Sequence, residues 1–268
     1  MSDFSIQIIN ANFSYNENTV VFNNHNLILD IKGDQKNKLY GIIGPSGTGK
    51  TTLISILGGQ LNPQQGEVLI NNINIYKVDD LARRSLISMQ MQTATSLRGK
   101  LKYNILFGLP KKEGEIVYEN SYLVEILVKV GLWGLFEAKD GLDTLIGEGG
   151  LNLSGGQRQR LNFAGLYLRA KYFRPHLILI DEPTSSLDEL SEKAITQMIL
   201  DLANDALTLV VAHRLKTLDE AVGIFDSSLI NSKKDMIFYS RKELQLESQY
   251  YRDLIDGNAV LEDYNHLT

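Results

Sequence analysis

The sequence predicts an α/β protein built on a mainly parallel sheet. Three observations carry that expectation. Residues 39–43, 177–180 and 207–212 are short apolar runs without polar alternation, as strands buried on both faces require. Each run ends in polar or charged residues: Gly44-Pro45-Ser46, Asp181-Glu182 and His213. Stretches of helical spacing lie between them, the pattern of an open α/β sheet whose ligands gather beyond the carboxyl ends of its strands.

Size and composition bound the rest. With 268 residues the chain suits one large domain, or one core with a smaller appendage. Hydrophobic residues make up 43% and charged residues 22%, ordinary for a globular protein. The 27 basic and 32 acidic residues give a formal charge of −5, so no electrostatic footprint for nucleic acid is visible and no nucleic-acid partner is expected. The absence of cysteine excludes disulfides and thiolate metal sites. Met1-Ser2-Asp3-Phe4-Ser5 has no secretory character, and no apolar run approaches the ~18 residues needed to span a bilayer. The expectation is a soluble, cytoplasmic chain.

In order, Ile6, Ile8, Phe13 and Tyr15 alternate as in a half-buried strand over 5–15. Tyr15 either closes the core edge or offers its ring to a purine. Residues 31–38 read as a turn and 39–43 as a buried strand. Gly44-Pro45-Ser46-Gly47-Thr48-Gly49-Lys50-Thr51-Thr52 then fits G-x-x-x-x-G-K-[ST] in its required strand–loop–helix setting, with the helix over 52–57. The glycines let backbone N–H groups curl around a β-phosphate, Lys50 reaches the β and γ oxygens, and Thr51 offers a hydroxyl to Mg²⁺. Gln64-Gln65-Gly66 reads as a turn, residues to 76 as short strands, 79–84 as a helical turn or two, and 86–91 as a strand. Gln92 and, two residues earlier, Gln90 compete as a functional glutamine at that strand's end.

Residues 93–150 form a mainly helical insert, with helices at 101–107 and 116–130, a break at 131–134 and Trp133 as packing. Ser154-Gly155-Gly156 opens a helix over 156–171, and a helix start of small residues favours an anion. Pro175 ends the connection to strand 177–180. Asp181 is placed to hold Mg²⁺, and Glu182 to take a proton from an attacking water. Residues 187–202 are helical, and His213, at the tip of strand 207–212, falls on the ligand side of the sheet. His25, His176 and His266 receive no role. Residues 221–225 and 236–239 read as closing strands, 241–254 as a helix and the last dozen residues as a frayed tail.

These residues resemble the ATP-binding cassette (ABC) ATPases from Phe13 to about Leu254. Gly44–Thr51 is similar to the family's Walker A loop, Leu153–Gln157 to its signature and Leu177–Glu182 to its Walker B strand. Ser185–Asp188 is similar to the D-loop and His213-Arg214-Leu215 to the H-loop. Gln92 fits the Q-loop, since it keeps ungapped spacing to Asn104-Ile105. Asp143–Gly150, His213–Leu215 and the Glu243-Leu244…Tyr251…Leu254 ending resemble exporter-type domains. Ala164-Gly165-Leu166 departs from their alanine-arginine-alanine run, and a fused membrane domain is absent from this sequence.

The resemblance implies a P-loop NTPase (RecA-like) core with a mainly parallel sheet, an N-terminal antiparallel β subdomain and a helical signature subdomain. It places the core and β subdomain in 1–92 and 156–240, the helical subdomain in 93–155, and a C-terminal helix and tail in 241–268. The implied cofactors are ATP and Mg²⁺. Nucleotide contacts would come from Tyr15, Gly44, Pro45, Ser46, Gly47, Thr48, Gly49, Lys50, Thr51 and Thr52, and from Ser154, Gly155, Gly156, Gln157 and Asp188. Thr51, Gln92 and Asp181 would hold the metal; Glu182, His213, Gln92 and Lys50 would be catalytic. A homodimer, or a heterodimer with a related cassette, would sandwich ATP between the Walker A loop of one copy and the signature of the other. A separate transmembrane subunit would hold the chain to the cytoplasmic face of a membrane, with export the expected direction. The competing reading is a soluble ATPase of the same superfamily acting on nucleic acid or ribosomes; the acidic balance, the single cassette and the lack of a long coiled-coil insertion oppose it. A non-hydrolysing regulatory cassette is opposed by Glu182 and His213, and a small-molecule kinase by the signature.

Overall fold

A computed structural model describes residues 3–257, apart from 94–95, 111–116, 148–149, 151 and 186. The chain begins with strands β1 (Phe4–Ser14), β2 (Val20–Ile31) and β3 (Leu39–Ile43), then helix α1 (Lys50–Leu57). β4 (Gln65–Ile70), β5 (Ile73–Asn74), α2 (Asp80–Leu86) and β6 (Ile87–Gln90) follow. Next come β7 (Gly99–Lys100), α3 (Leu101–Ile105), α4 (Asn120–Lys129), β8 (Leu145–Ile146) and the long α5 (Gly155–Phe173). The remainder is β9 (Leu177–Asp181), α6 (Glu189–Asp205), β10 (Leu207–Val211), β11 (Gly223–Asp226), β12 (Asp235–Met236), α7 (Arg241–Glu247) and α8 (Gln249–Ile255).

The central sheet has the order β11-β3-β10-β9-β6, and every pairing in it is parallel. Its strands are apolar on both faces because both are covered. Ile178 and Ile180 of β9 join a core cluster with α5 and α6, while Leu177 and Leu179 join the one shared with α1 and the N-terminal strands. A second sheet, β12-β2-β1-β4-β5, is antiparallel except for the β12–β2 edge. The α/β fold with its parallel sheet and antiparallel N-terminal strands is therefore as expected.

Helix α6 shows how local sequence meets the core. Asp188 caps it by accepting from the Ser191 N–H at 3.0 Å, Glu189 and Glu192 favour its positive end, and Ile195, Met198, Ile199, Leu202 and Ala203 bury one stripe. Helix α5 is instead covered nearly all round although Arg158, Arg160, Asn162 and Arg169 lie among its residues, and Leu161, Phe163, Ala164, Leu166 and Leu168 are all buried. It packs against α3, α4 and α6 and against the β6 edge, so it has little solvent face.

Several expectations need correction. Nothing in the sequence reading marks β2, whose middle is Asn23-Asn24-His25-Asn26, with Asn24 at φ 56°. That polar interruption, and register shifts against β1, conceal the alternation of Leu27, Leu29 and Ile31. Gln65 and Gly66 belong to β4 rather than a turn; Gly66, at φ 94°, lies against the Ile9 and Asn10 carbonyls, where a side chain has no room. Leu86 ends α2 instead of starting the strand. The insert carries a two-stranded β7–β8 pair whose strands flank its helices, and α4 starts at Asn120, with Ile116 outside the described residues. Residues 236–239 are not a full strand: β12 ends at Met236, and Tyr239 makes a single bridge to Ile224. The C-terminal helix is two helices, because Ser248 ends α7 and caps α8.

Candidate functional site

The parallel register decides which side chains meet. Val211 of β10 pairs with Ile42 of β3 and with Asp181 of β9, and Gln90 of β6 pairs with Ile180. The chain therefore leaves all four strands at one edge, delivering Gly44, Glu182, His213 and Gln92 together. That edge is where an open α/β sheet takes its ligands.

Helix α1 begins there without a side-chain cap. Its N-cap is Gly49, at φ 93°, so the first-turn N–H groups of Lys50, Thr51 and Thr52 have no local acceptor side chain. Lys50 is buried and folds back over the loop, its Nζ donating to the Gly44 carbonyl at 2.7 Å and the Pro45 carbonyl at 2.8 Å. Ser46 and Gly47 lie exposed on the loop's outer side, and Gly47 has open space where a side chain would stand. Thr52 meets Tyr15 through their hydroxyls at 3.0 Å. The Tyr15 ring is 56% exposed and packs edge-on to Phe13 at 5.1 Å, so its outer face is available to a ligand.

Asp181 has no surface exposure, and neither carboxylate oxygen has a hydrogen-bond partner. Burial pushes its carboxyl above the usual aspartate range; nearby Thr51 and Lys50 oppose that, without a Thr51 hydrogen bond of normal geometry. Glu182 is in the opposite condition. Its Oε1 accepts from His213 Nε2 at 2.6 Å and its Oε2 from Gln92 Nε2 at 2.8 Å. Burial pushes its carboxyl up, but the His213 hydrogen bond and charge, Lys50 and the Gln92 amide outweigh that and hold it below the ordinary glutamate value. Its backbone is left-handed, at φ 49°, a sparsely populated region for a non-glycine residue. The Glu182 N–H donates to the Val211 carbonyl at 3.0 Å, and the Glu182 carbonyl accepts from Gln159 Nε2. The strained residue is thus pinned from both sides.

Between the two glutamines, the structure brings Gln92 to the site. Gln90 faces a neighbouring groove of about 580 Å³ shared with Asn104, Asn162 and Arg169, and both atoms of its amide lack partners. Gln159 was not foreseen: it is two residues past the signature glutamine, and no linear pattern announces that its amide reaches Glu182. A second cavity, of about 610 Å³, lies at the start of β9 and β10, lined by Phe4, Lys38, Arg174 and His176 and away from these residues.

The signature residues form a separate feature. Ser154 and Gln157 close a capping box, the Ser154 N–H donating to Gln157 Oε1 at 2.9 Å and the Gln157 N–H to Ser154 Oγ at 3.2 Å. A side chain at Gly155 would meet nothing within 4 Å, so the helix start faces open space. Asp188 is exposed and engaged as the cap of α6; bonds from Ser191 hold its carboxyl below the usual range. Ser186, between them, lies outside the described residues, as do Glu148 and Gly149.

The ABC transporter family profile matches residues 24–185, which include the loop, the signature and the β9 carboxylates. The chain belongs to the ABC transporter family. An export ATP-binding/permease protein of Rickettsia typhi is 32% identical over 254 residues, covering 93% of this cassette and 41% of the relative. An ATP-dependent lipid A-core flippase of Paraburkholderia xenovorans is 33% identical over 231 residues, 86% of the cassette and 34% of the flippase. In fold the cassette is similar to a bacterial Atm1-family ABC exporter solved with ATP bound, at a TM-score of 0.77 and 24% identity, covering 95% of this chain and 42% of that one. The cassette therefore spans about two fifths or less of the length of these proteins. Among the described residues no helix is long and apolar enough to cross a membrane.

Proposed function

We propose that the cassette binds and hydrolyses ATP as part of an ABC exporter, closing on nucleotide as a dimer and driving a membrane-spanning partner. The observation that carries this reading is the arrangement of Glu182, with one oxygen on His213 and the other on Gln92, beside Asp181 and the Lys50 loop. The reading is also supported by the relatives, whose names describe export proteins and a flippase. None of the observations favours a role on nucleic acid or ribosomes.

In this reading Lys50 exchanges the Gly44 and Pro45 carbonyls for the β and γ oxygens of ATP, and the α1 N–H groups receive the phosphates. The Tyr15 ring stacks on the base. Thr51, Asp181 and the Gln92 amide oxygen would hold Mg²⁺. The partnerless Asp181 carboxylate fits a divalent cation. Among the described residues no group of three His, Asp or Glu could hold a metal alone, which suits an ion that keeps water and substrate phosphate in its shell. When bound, Mg²⁺ supplies neutralisation of the charge developing on the phosphate oxygens.

Glu182 enters ionised, since its pKa lies below the ordinary value. Both its oxygens are engaged, so a base role requires one to be released. His213 turning from Oε1 to the γ-phosphate frees that oxygen for a proton of the attacking water. The Ser154–Gly156 turn bonds only within its own helix start among the described residues, so it would complete the phosphate site of a second copy, with Asp188 beside the interface. The groove at Gln90, between the β6 edge and α5, is where the helical part would pass closure to the membrane partner.

Asp181→Asn tests the metal assignment by a readout besides turnover. Removing an unpaired buried charge should raise the melting temperature of the nucleotide-free protein by about 2–8 °C, from roughly 1–3 kcal/mol. The further rise that Mg²⁺ with ATP gives the wild type should shrink. A variant that melts lower and still gains the full Mg²⁺-dependent increment would contradict the assignment.

A further inference from the structure

Beyond the residues assigned above, the phosphate loop leans on the end of β11. Ser227, 2% exposed, directly follows Asp226, which pairs with Ile43 in the parallel register. Ser227 Oγ lies 2.9 Å from the Ile43 carbonyl and 2.5 Å from Thr48 Oγ1, and Thr48 Oγ1 lies 2.8 Å from the Pro45 carbonyl. The loop also packs straight onto this hydroxyl at Gly44: at φ 138°, any Cβ there would overlap Ser227 Oγ. Two hydroxyl protons serve three short contacts. One proton must lie between the two oxygens, so either the Ile43 or the Pro45 carbonyl goes without its hydroxyl donor at any moment. Pro45 is also the carbonyl that Lys50 occupies. The hydroxyl pair thus compensates the carbonyl that Lys50 leaves when it moves to a phosphate.

The support extends to the C-terminus. Asp226 has no exposure; its Oδ1 accepts from the Ser228 N–H at 2.8 Å, and its Oδ2 accepts from Ser248 Oγ. Ser248 is itself fully buried and caps α8 by accepting from the Tyr251 N–H at 2.8 Å. The anchor, Asp226, is the residue immediately before the one whose hydroxyl holds the loop.

We propose that Ser227 is a positioning residue for the phosphate loop, and that the Asp226–Ser248 bond makes the C-terminal helices α7 and α8 part of that support. This rests on the nucleotide-binding reading of the loop. It deepens that reading by giving the C-terminal segment a part in setting affinity for the phosphates.

The test is direct binding of ATP, ADP, inorganic tripolyphosphate and adenosine to the full chain, with melting temperatures in parallel. Ser227→Ala should weaken ATP, ADP and tripolyphosphate about five- to tenfold, the size of one lost buried hydrogen bond, and leave adenosine unchanged. Ser227→Gly also removes the hydroxyl without adding bulk, should do the same, and stands in should the alanine variant not fold. Ser248→Ala should give a smaller loss with the same phosphate dependence. Unchanged ATP affinity in the folded Ser227 variants would overturn the positioning role, as would an equal loss for adenosine. A Ser248 variant equal to wild type would remove the C-terminal helices from it. Lys50→Ala is the control: if wild type and Lys50→Ala bind tripolyphosphate equally, the nucleotide reading fails; if only the Ser227 variants match wild type, this inference fails alone.

Discussion

Glu182→Gln is expected to abolish steady-state ATP hydrolysis while ATP remains bound. The substitution keeps the length and volume of the side chain and removes its charge and proton affinity. A positioned general base contributes on the order of 10²–10⁴ in rate, so phosphate release should fall by about that factor. Nucleotide affinity should hold, because Lys50, the α1 N–H groups and Asp181 are untouched. The neutral amide keeps a bond to each neighbour only if the His213 tautomer or the Gln92 amide reverses, and it loses the charge that strengthens both bonds. Both neighbours are therefore held less tightly than in the wild type. A phosphate-release assay decides the matter, and wild-type turnover in the variant would remove Glu182 from the base role.

Lys50→Ala should act a step earlier, on binding itself. Hydrogen bonds to charged groups contribute roughly 1.5–3 kcal/mol each, so losing the ammonium should weaken ATP about ten- to a hundredfold. The Gly44 and Pro45 carbonyls that now accept from Lys50 would lose that donor, so part of the effect would be a less ordered loop. Titration calorimetry with ATP reads the change; unchanged affinity would contradict the phosphate assignment of the loop.

Much of the site was legible in the sequence because its parts are short and local. The loop from Gly44 to Thr51 is a contiguous backbone device, and apolar runs ending in Asp181-Glu182 and His213 announce buried strands delivering polar groups to one edge. Sequence could not show what those groups do to each other. Asp181 and Glu182 are adjacent in the chain, yet one is buried without a partner and the other is doubly bonded and drawn below its ordinary pKa. That contrast depends on His213 and Gln92, which lie just past β10 and β6 and are 31 and 90 residues from Glu182. Gln159 and Ser227 escaped notice for the same reason: a buried amide and a buried hydroxyl have no pattern of their own. Strand β2 was missed on local grounds, since its asparagines read as loop while its pairing with β1 fixes it as strand.

The central claim is that two copies clamp nucleotide, each supplying the half the other lacks. Sedimentation of Glu182→Gln with Mg²⁺ and ATP tests it most directly, against the mass of 30.1 kDa for one chain. The account predicts a species of twice that mass which reverts when nucleotide is withdrawn and fails to form when Ser154 is replaced by a bulky residue. A single-chain mass at saturating ATP would contradict it.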